Sequence, residues 1–452
     1  MKINKLILLF VTTLFLGSCS NDEQGSTIES EVETPVTVKA SFSYTISATD
    51  PYVAIFQNTT ESSFQYQSLW DYGLGEGKVN VGSGLVEVRY NEVGNYTVKF
   101  YAVYNGVTTE ESKTIKVDEN GICPNGLCGS TSSTSLKDAA TTFAVGNITR
   151  SSWVIGSGKY IELLKNEFNS LTSEYEMKMN VMYPAQGSYN FSAADAIVSF
   201  AQANDMYVHG HALIWHNATP SWVENFSGTD AEFEAMVKAY ITTTVTRYKG
   251  KVRSWDVVNE ALEDGSGNPL RKSVFKQKMG DDYIKKCFQF ARDADPDVLL
   301  FYNDYNMASS ATKRAAMFTL VDELGDLIDG VGAQMHISYN GPSASQIKNL
   351  ADGVISRNLK LHFAELDIRA NPNNDLTVLS NDRAKAQSAK YKEVVQIYNS
   401  IPLENKFALT VWGVRDNESW LIDFWGNADW PLLFDSNYNK KLSYYGFLGG
   451  LQ

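Results

Sequence analysis

From Phe143 onward the chain alternates short apolar, β-branched runs with amphipathic stretches of helical period, and does so eight times. The strand candidates are Phe143–Ile148, Glu174–Met179, Met206–Ile214, Val252–Asn259, Val298–Asn303, Gly330–Met335, Leu359–Asp367 and Lys406–Trp412. Helical patterns fall between most of them, at 194–203, 233–248, 283–294, 311–323 and 383–398. Strands that alternate with helices imply βα units and a parallel sheet. Eight such units over roughly 300 residues predict an α/β fold, the (β/α)₈ or TIM barrel. A doubly wound open sheet is the alternative. It calls for a glycine-rich phosphate turn after the first strand, and none is seen.

The chain ahead of the barrel has a different texture. Residues 1–18 read as an export signal, with Lys2 and Lys5 before an apolar core from Leu6 to Leu16 that is too short to span a bilayer. Leu16-Gly17-Ser18-Cys19 resembles a bacterial lipobox, which implies cleavage before Cys19 and a lipid anchor on it. An ordinary signal peptide that happens to hold a cysteine is the plainer alternative. Ser20-Asn21-Asp22-Glu23 is similar to the acidic tract of surface-exported lipoproteins in some Gram-negative bacteria. The expected location is therefore the outer membrane, extending to the cell surface. Residues 19–34 are polar and acidic, and read as a tether.

Residues 35–118 are strand-rich, with alternating runs at Val36–Ala40, Leu85–Tyr90, Tyr96–Phe100 and Lys113–Val117. They predict a small all-β sandwich of Ig-like type. Trp70-Asp71-Tyr72-Gly73 followed by Gly94-Asn95-Tyr96-Thr97-Val98 resembles the PKD-type Ig-like domain. A spacer role is expected. Tyr66 and Trp70 have two readings, a sugar platform or parts of the sandwich core. Residues 119–136 form a Gly/Ser/Thr-rich linker, and 137–452 the barrel. Cys123 and Cys128 are close enough for a small disulfide loop in an exported chain, and no nearby Cys or His would complete a zinc site. Cys287 stands alone in a helical pattern and reads as an inert core residue.

The formal net charge of −13 drops by two when Lys2 and Lys5 are removed, a balance that does not favour nucleic acid. The chain holds 24 Tyr, 22 Phe and 9 Trp. Such usage suits stacking on the C–H faces of sugars, although barrel and sandwich cores use aromatics as freely.

Active sites of (β/α)₈ barrels lie at the C-terminal ends of the strands. Trp255-Asp256-Val257-Val258-Asn259-Glu260 brings a carboxylate to the end of the fourth strand, and Phe363-Ala364-Glu365-Leu366-Asp367-Ile368 brings another late in the seventh. These strands are not neighbours in the ring, so their ends can face each other across the mouth. Two carboxylates in one cleft fit an acid/base and a nucleophile. The bland reading, two solvated glutamates, conflicts with how apolar both stretches are. His209-Gly210-His211 with Trp215-His216, and Gln334-Met335-His336, gather on the same rim.

Together these segments resemble glycoside hydrolase family 10, the retaining endo-β-1,4-xylanases, over roughly residues 137 to 450. The match runs through Glu174 with Glu176-Met177-Lys178, Gly210-His211-Ala212-Leu213-Ile214-Trp215-His216, Pro220-Ser221-Trp222, Trp255 to Glu260, Asn303-Asp304-Tyr305-Asn306, Gly332-Ala333-Gln334-Met335-His336, Glu365-Leu366-Asp367, and Trp412-Gly413-Val414 with Asp416 and Ser419-Trp420. Eight segments in family order make chance negligible.

The resemblance implies that Glu260 is the acid/base and Glu365 the nucleophile, acting on xylan or xylo-oligosaccharides. Glu260 would start protonated, favoured by the charge of Glu365, and then activate water. Asn259 would bind the 2-hydroxyl of the sugar being cleaved. His336 would orient Glu365, with Asp367 behind it. Glu174, Lys178 and His211 match residues that bind non-reducing-side sugars. Trp215, Trp412 and Trp420 match aromatics that wall the subsites, Gln334 a substrate-binding residue, and Tyr305 a cleft residue on the product side. Trp222 fits a structural role better. The chemistry implied needs no cofactor or metal.

Three positions depart from the family pattern. Tyr175 stands where Asn is usual, Ala218 where Gln is usual, and Leu421 where Arg commonly follows Ser-Trp. All three lie in or near non-reducing-end subsites, so altered tolerance for decorated xylan is expected. Two other functions stay open: a retaining β-glucanase of a related barrel family, and a surface glycan-binding lipoprotein without activity. The sequence leaves the oligomeric state open, with a monomer as the default.

Overall fold

A computed structural model describes residues 36–47, 50–82, 84–92, 94–118, 121–123 and 134–452. The expected signal, Cys19, the tether and Cys128 lie outside these. The described residues fall into two compact units. One comprises Phe56–Val86 and Thr97–Lys113 with the described residues up to Ser43; the other comprises Tyr44–Ile55, Glu87–Tyr96 and Thr114–Gln452.

Among the described residues, seven strands precede the barrel: β1 (Phe42–Ile46), β2 (Val53–Asn58), β3 (Gln67–Asp71), β4 (Val86–Arg89), β5 (Gly94–Tyr104), β6 (Val107–Asp118) and β7 (Gly121–Ile122). They form two sheets, ordered β1-β2-β4 and β3-β5-β6-β7, as an all-β sandwich requires. The first unit is centred on aromatic rings. Trp70 lies 4.5 Å from Phe100 and 5.2 Å from Phe42, with Phe56 and Tyr72 around it. Trp70 is only 2% exposed, so it is a core residue and offers no face to a sugar. Tyr66 is half-buried, and its hydroxyl meets the Asn58 amide. The expected strand Val36–Ala40 is not one; the first strand begins at Phe42. Cys123 is buried and disulfide-bonded. Cys287 is a buried free thiol whose pKa burial pushes up, as an inert core residue requires.

The barrel strands are β8 (Ala144–Thr149), β9 (Ser170–Ser173), β10 (Tyr207–Gly210) continued by β11 (Ile214–Trp215), β12 (Ser254–Asn259), β13 (Leu299–Tyr305), β14 (Gly330–Gln334) continued by β15 (His336–Ser338), β16 (Lys360–Arg369) and β17 (Lys406–Val411). Every pairing is parallel, and β8–β9, β9–β10 and β10–β12 close the ring. A helix follows each of the eight strand positions: 159–167, 192–203, 230–247, 283–294, 311–324, 344–355, 381–400 and 442–451. Caps set several of their starts. Thr229 and Glu232 form a reciprocal capping box, as do Ser343 and Gln346. Along Tyr283–Ala294 the buried residues Tyr283, Ile284, Cys287, Phe288 and Ala291 recur at helical spacing and make one core face. The last helix packs very closely on 381–400: a Cβ on Gly446 would sit 2.1 Å from Ser388 O, so only glycine fits.

The second strand is a correction. Glu174–Met179 is not extended; the strand is Ser170–Ser173, and Glu174 is the residue just past its end. The Ser173 hydroxyl accepts from the backbone N–H groups of Glu176 and Met177, which ends the strand and turns the chain toward the short helix Met179–Met182. Residues 174–179 therefore belong to the rim rather than the wall.

Inside the barrel, Phe301, Phe407, Ala144 and Ala408 pack near the strand starts. Next to them lie polar groups: His209 with Ser254 and Asp256, and His362 with Thr410. The His209 and His362 rings meet edge to face at 4.7 Å.

Candidate active site

The two strands that lead to the glutamates both break register. Between Asp256 and Val258, β12 advances two residues while β13 advances one. Between Phe363 and Leu366, β16 advances three while β17 advances two. Each is one extra residue, a β-bulge. In a regular strand inward positions recur every second residue. On β12, Ser254 and Asp256 contact interior groups, so regular continuation would point Val258 inward and Asn259 out. The bulge reverses this: Val258 joins the outer core, and Asn259 meets Asn303 and Gln334. On β16, His362 points inward, and the bulge brings Glu365 to the same side while Leu366 packs outward. Glu260 follows β12 with a left-handed φ of 54°, a turn uncommon for a non-glycine residue.

Glu365 is 5% exposed. Its Oε1 accepts from Asn303 Nδ2 at 2.7 Å, and Oε2 lies 3.0 Å from His336 Nε2. Burial pushes this carboxyl up, but the His336 hydrogen bond, the nearby His211 and His336 charges, and Asn303 outweigh it and leave it below its usual value. His336 Nδ1 lies 2.8 Å from Asp367 Oδ2, which also accepts from Trp420 Nε1 at 3.0 Å. Burial disfavours the imidazolium; Asp367, then Glu365, overcome that and raise His336 to about 10. A positive imidazolium thus stands between two carboxylates. Asp367 itself is lifted by burial, which His336 and Trp420 only partly offset.

Glu260 is held differently. Oε2 accepts from Trp215 Nε1 at 2.9 Å and Oε1 from Gln334 Nε2 at 3.0 Å. Both are neutral donors. Gln334 Nε2 also lies 3.2 Å from the Asn259 amide, and Asn303 Nδ2 lies 3.0 Å from it. A chain of amides therefore links Glu260 to Glu365.

The other expected residues divide into two groups. At one end of the rim, Glu174 is gripped by Arg150 through two hydrogen bonds of 2.6 and 3.0 Å. The Arg150 guanidinium lies 4.5 Å from the Trp153 ring and 5.0 Å from the Tyr175 ring. Lys178 Nζ lies 4.5 Å from the Trp215 ring, and burial lowers its pKa against the pull of Glu365, Glu174 and Glu260. His211 Nδ1 pairs with Asp256 at 2.8 Å, and its ring meets Trp412 edge to face. Trp412 and Trp420 both face His336. Elsewhere, Tyr305 hydrogen-bonds Asp264 at 2.7 Å and Arg271, and Lys313 Nζ lies 3.3 Å above its ring. Trp222 donates to the Tyr183 carbonyl and packs on its ring, as a structural residue would.

Of the three departures, only Tyr175 reaches solvent, at 48% exposure; Ala218 and Leu421 are buried. Leu421 therefore packs in the protein instead of lining the cleft. Sequence reasoning gave no role to Asn303, Arg150, Arg271 or Asp256. Asn303 and Asp256 do lie in the quoted motifs, within β13 and β12. Arg150 and Arg271 sit in loops, where no local pattern marks a partner.

The sequence pattern of glycosyl hydrolase family 10 matches residues 135–449. Endo-1,4-beta-xylanase B of Paenibacillus barcinonensis is 36% identical over 318 residues, 66% of this chain and 95% of that protein. Endo-beta-1,4-xylanase Xyn10C of Cellvibrio japonicus is 38% identical over 314 residues, 64% of this chain; the match spans about half of that relative, 52%. Among solved structures, xylanase 10B of Thermotoga petrophila in complex with xylobiose is 33% identical, with a TM-score of 0.66, over 70% of this chain and 97% of that one. The barrel, its rim and these likenesses agree, and the chain belongs to glycosyl hydrolase family 10.

Proposed function

We propose that this protein is a retaining endo-β-1,4-xylanase, with Glu365 as nucleophile and Glu260 as acid/base. The contrast in their surroundings carries the reading. Glu365 faces a protonated imidazole and an amide, which favour its ionised, attacking form. Glu260 has no charged partner of that kind: its carboxyl accepts from the indole of Trp215 and the amide of Gln334. Glu260 would protonate the leaving oxygen as Glu365 attacks the anomeric carbon, then deprotonate water that releases the glycosyl-enzyme. Asn259 would bind the 2-hydroxyl, and His336 with Asp367 would orient Glu365. Glu174, Lys178, His211, Trp215, Gln334, Trp412 and Trp420 would bind sugar near the cut, and Tyr305 on the product side. Several relatives bear xylanase names, and one related structure holds xylobiose. The test is release of reducing ends from xylan, cellulose and mixed-linkage glucan, with the anomer of the first product. Rapid release from xylan with a β product is expected; faster release from either glucan would overturn the reading.

The chain is further proposed to be a lipoprotein, anchored through Cys19 in the outer membrane and facing the cell surface. Residues 35–118 would be a PKD-like spacer and 119–136 a linker closed by a Cys123–Cys128 loop. No helix among the described residues is long and apolar enough to cross a membrane. Metabolic labelling with a fatty acid, lost in Cys19→Ala, tests the anchor.

A further inference from the structure

Trp420 does not end the aromatic surface at the cleft. The helix Trp420–Trp425 carries Phe424 and Trp425 beyond it, 64% and 54% exposed. The Phe424 ring lies 5.0 Å from Trp420 and 5.1 Å from Trp425. Trp425 is backed by the Arg369 guanidinium at 4.6 Å, and Arg369 is fixed by Asp429 at 3.0 Å. Single exposed apolar residues are ordinary. Two large rings side by side, continuous with a cleft tryptophan, are not, because burying them would be favourable. The helix also belongs to a definite end of the cleft. Burial is the main influence raising the Tyr175 hydroxyl, and Asp423, just before Phe424, adds to it. Tyr175 follows Glu174, whose family counterpart binds non-reducing-side sugars. Tyr305 is instead engaged by Asp264, Arg271 and Lys313.

We propose that Phe424 and Trp425 form an additional platform for xylosyl residues on the non-reducing side, beyond the sugars within reach of Glu174 and Tyr175. The proposal rests on the xylanase reading. Pyranose rings present flat C–H faces that stack on aromatic rings. Phe424 and Trp425 are inclined at 85°, so one sugar cannot lie flat on both. Neighbouring units of a β-1,4 chain are turned relative to one another and can meet the two rings in succession.

The test uses the full-length protein and its Phe424→Ala, Trp425→Ala and double variants. Kinetics on xylotriose and xylohexaose are compared, with cleavage sites mapped on reducing-end-labelled xylohexaose. Each substitution should raise KM for xylohexaose about two- to tenfold, the scale of one aromatic contact. The constants for xylotriose and the melting temperature should not change. Cleavage should move toward the non-reducing end, since fewer sugars are then held on that side. A double variant with the wild-type KM and cleavage pattern would overturn the platform, as would equal losses on both substrates. A wild-type protein that leaves xylohexaose uncut would instead overturn the xylanase reading, and the platform with it.

Discussion

Asn303 Nδ2 lies 2.7 Å from Glu365 Oε1, and the same nitrogen lies 3.0 Å from the Asn259 amide. One buried side chain on β13 thus fixes a carboxylate from β16 against the end of β12. The contact favours the ionised carboxyl, so activity that needs this form is lost as pH falls through the lowered pKa of Glu365. Asn303→Ala should move the acid limb of kcat/KM to higher pH. It should also lower kcat about 10- to 100-fold, the worth of a hydrogen bond to a charged group. A pH profile with an unmoved acid limb would count against this role.

Replacing either glutamate keeps its shape and removes its chemistry. Glu260→Gln and Glu365→Gln should each lower kcat on xylan by about 10²-fold or more with the fold intact. Initial rates and circular dichroism check this. Wild-type rates in both variants would end the assignment.

His336 is raised from 6.5 to about 10 in the fold, chiefly by Asp367 once burial has been overcome. A pKa raised by folding adds stability that is complete below the unfolded value and fades as pH rises through the folded one. The melting-temperature gap between wild type and His336→Gln should therefore be widest below about pH 6.5 and narrow toward about pH 10. A gap that widens across this range would contradict a charged His336.

Lys313 and Asp304 form a buried pair at 3.0 Å beneath Tyr305. Burial raises Asp304 to about 6 even with Lys313 beside it. Lys313→Met would strand that carboxylate and should cost about 3–5 kcal/mol. Adding Asp304→Asn should recover part of the loss. Urea denaturation of the two variants tests the coupling; strict additivity would refute it.

Tyr175 is the one departure from the family pattern that reaches solvent. Tyr175→Asn should change the ratio of rates on decorated and linear xylan, with little change in melting temperature because the ring is half exposed. An unchanged ratio on arabinoxylan, glucuronoxylan and linear xylan would remove Tyr175 from substrate choice.

The barrel and most of its rim were legible in the sequence because both depend on local pattern. Helix Tyr283–Ala294 shows its buried face at helical spacing, and its observed ends are those expected. Glu174 was less legible. The run Glu174–Met179 alternates charged and apolar residues and looks extended, yet the hydroxyl of Ser173 ends the strand before Glu174. Val36–Ala40 alternates like a strand but lies outside both N-terminal sheets, since alternation gives a face and not a partner.

The sequence by itself determined eight βα units, two carboxylates near strand ends, and the residue types that gather with them. Only the tertiary structure decided which way Asn259 and Glu365 point and what holds the two carboxylates. Strict alternation would turn Asn259 and Glu365 away from the mouth. One extra residue in each of β12 and β16 turns them in. A bulge is a mismatch between two strands that are distant in the chain, so neither strand's own sequence can show it. Likewise, the Asn303–Glu365 and Arg150–Glu174 contacts join residues that meet only when the ring closes.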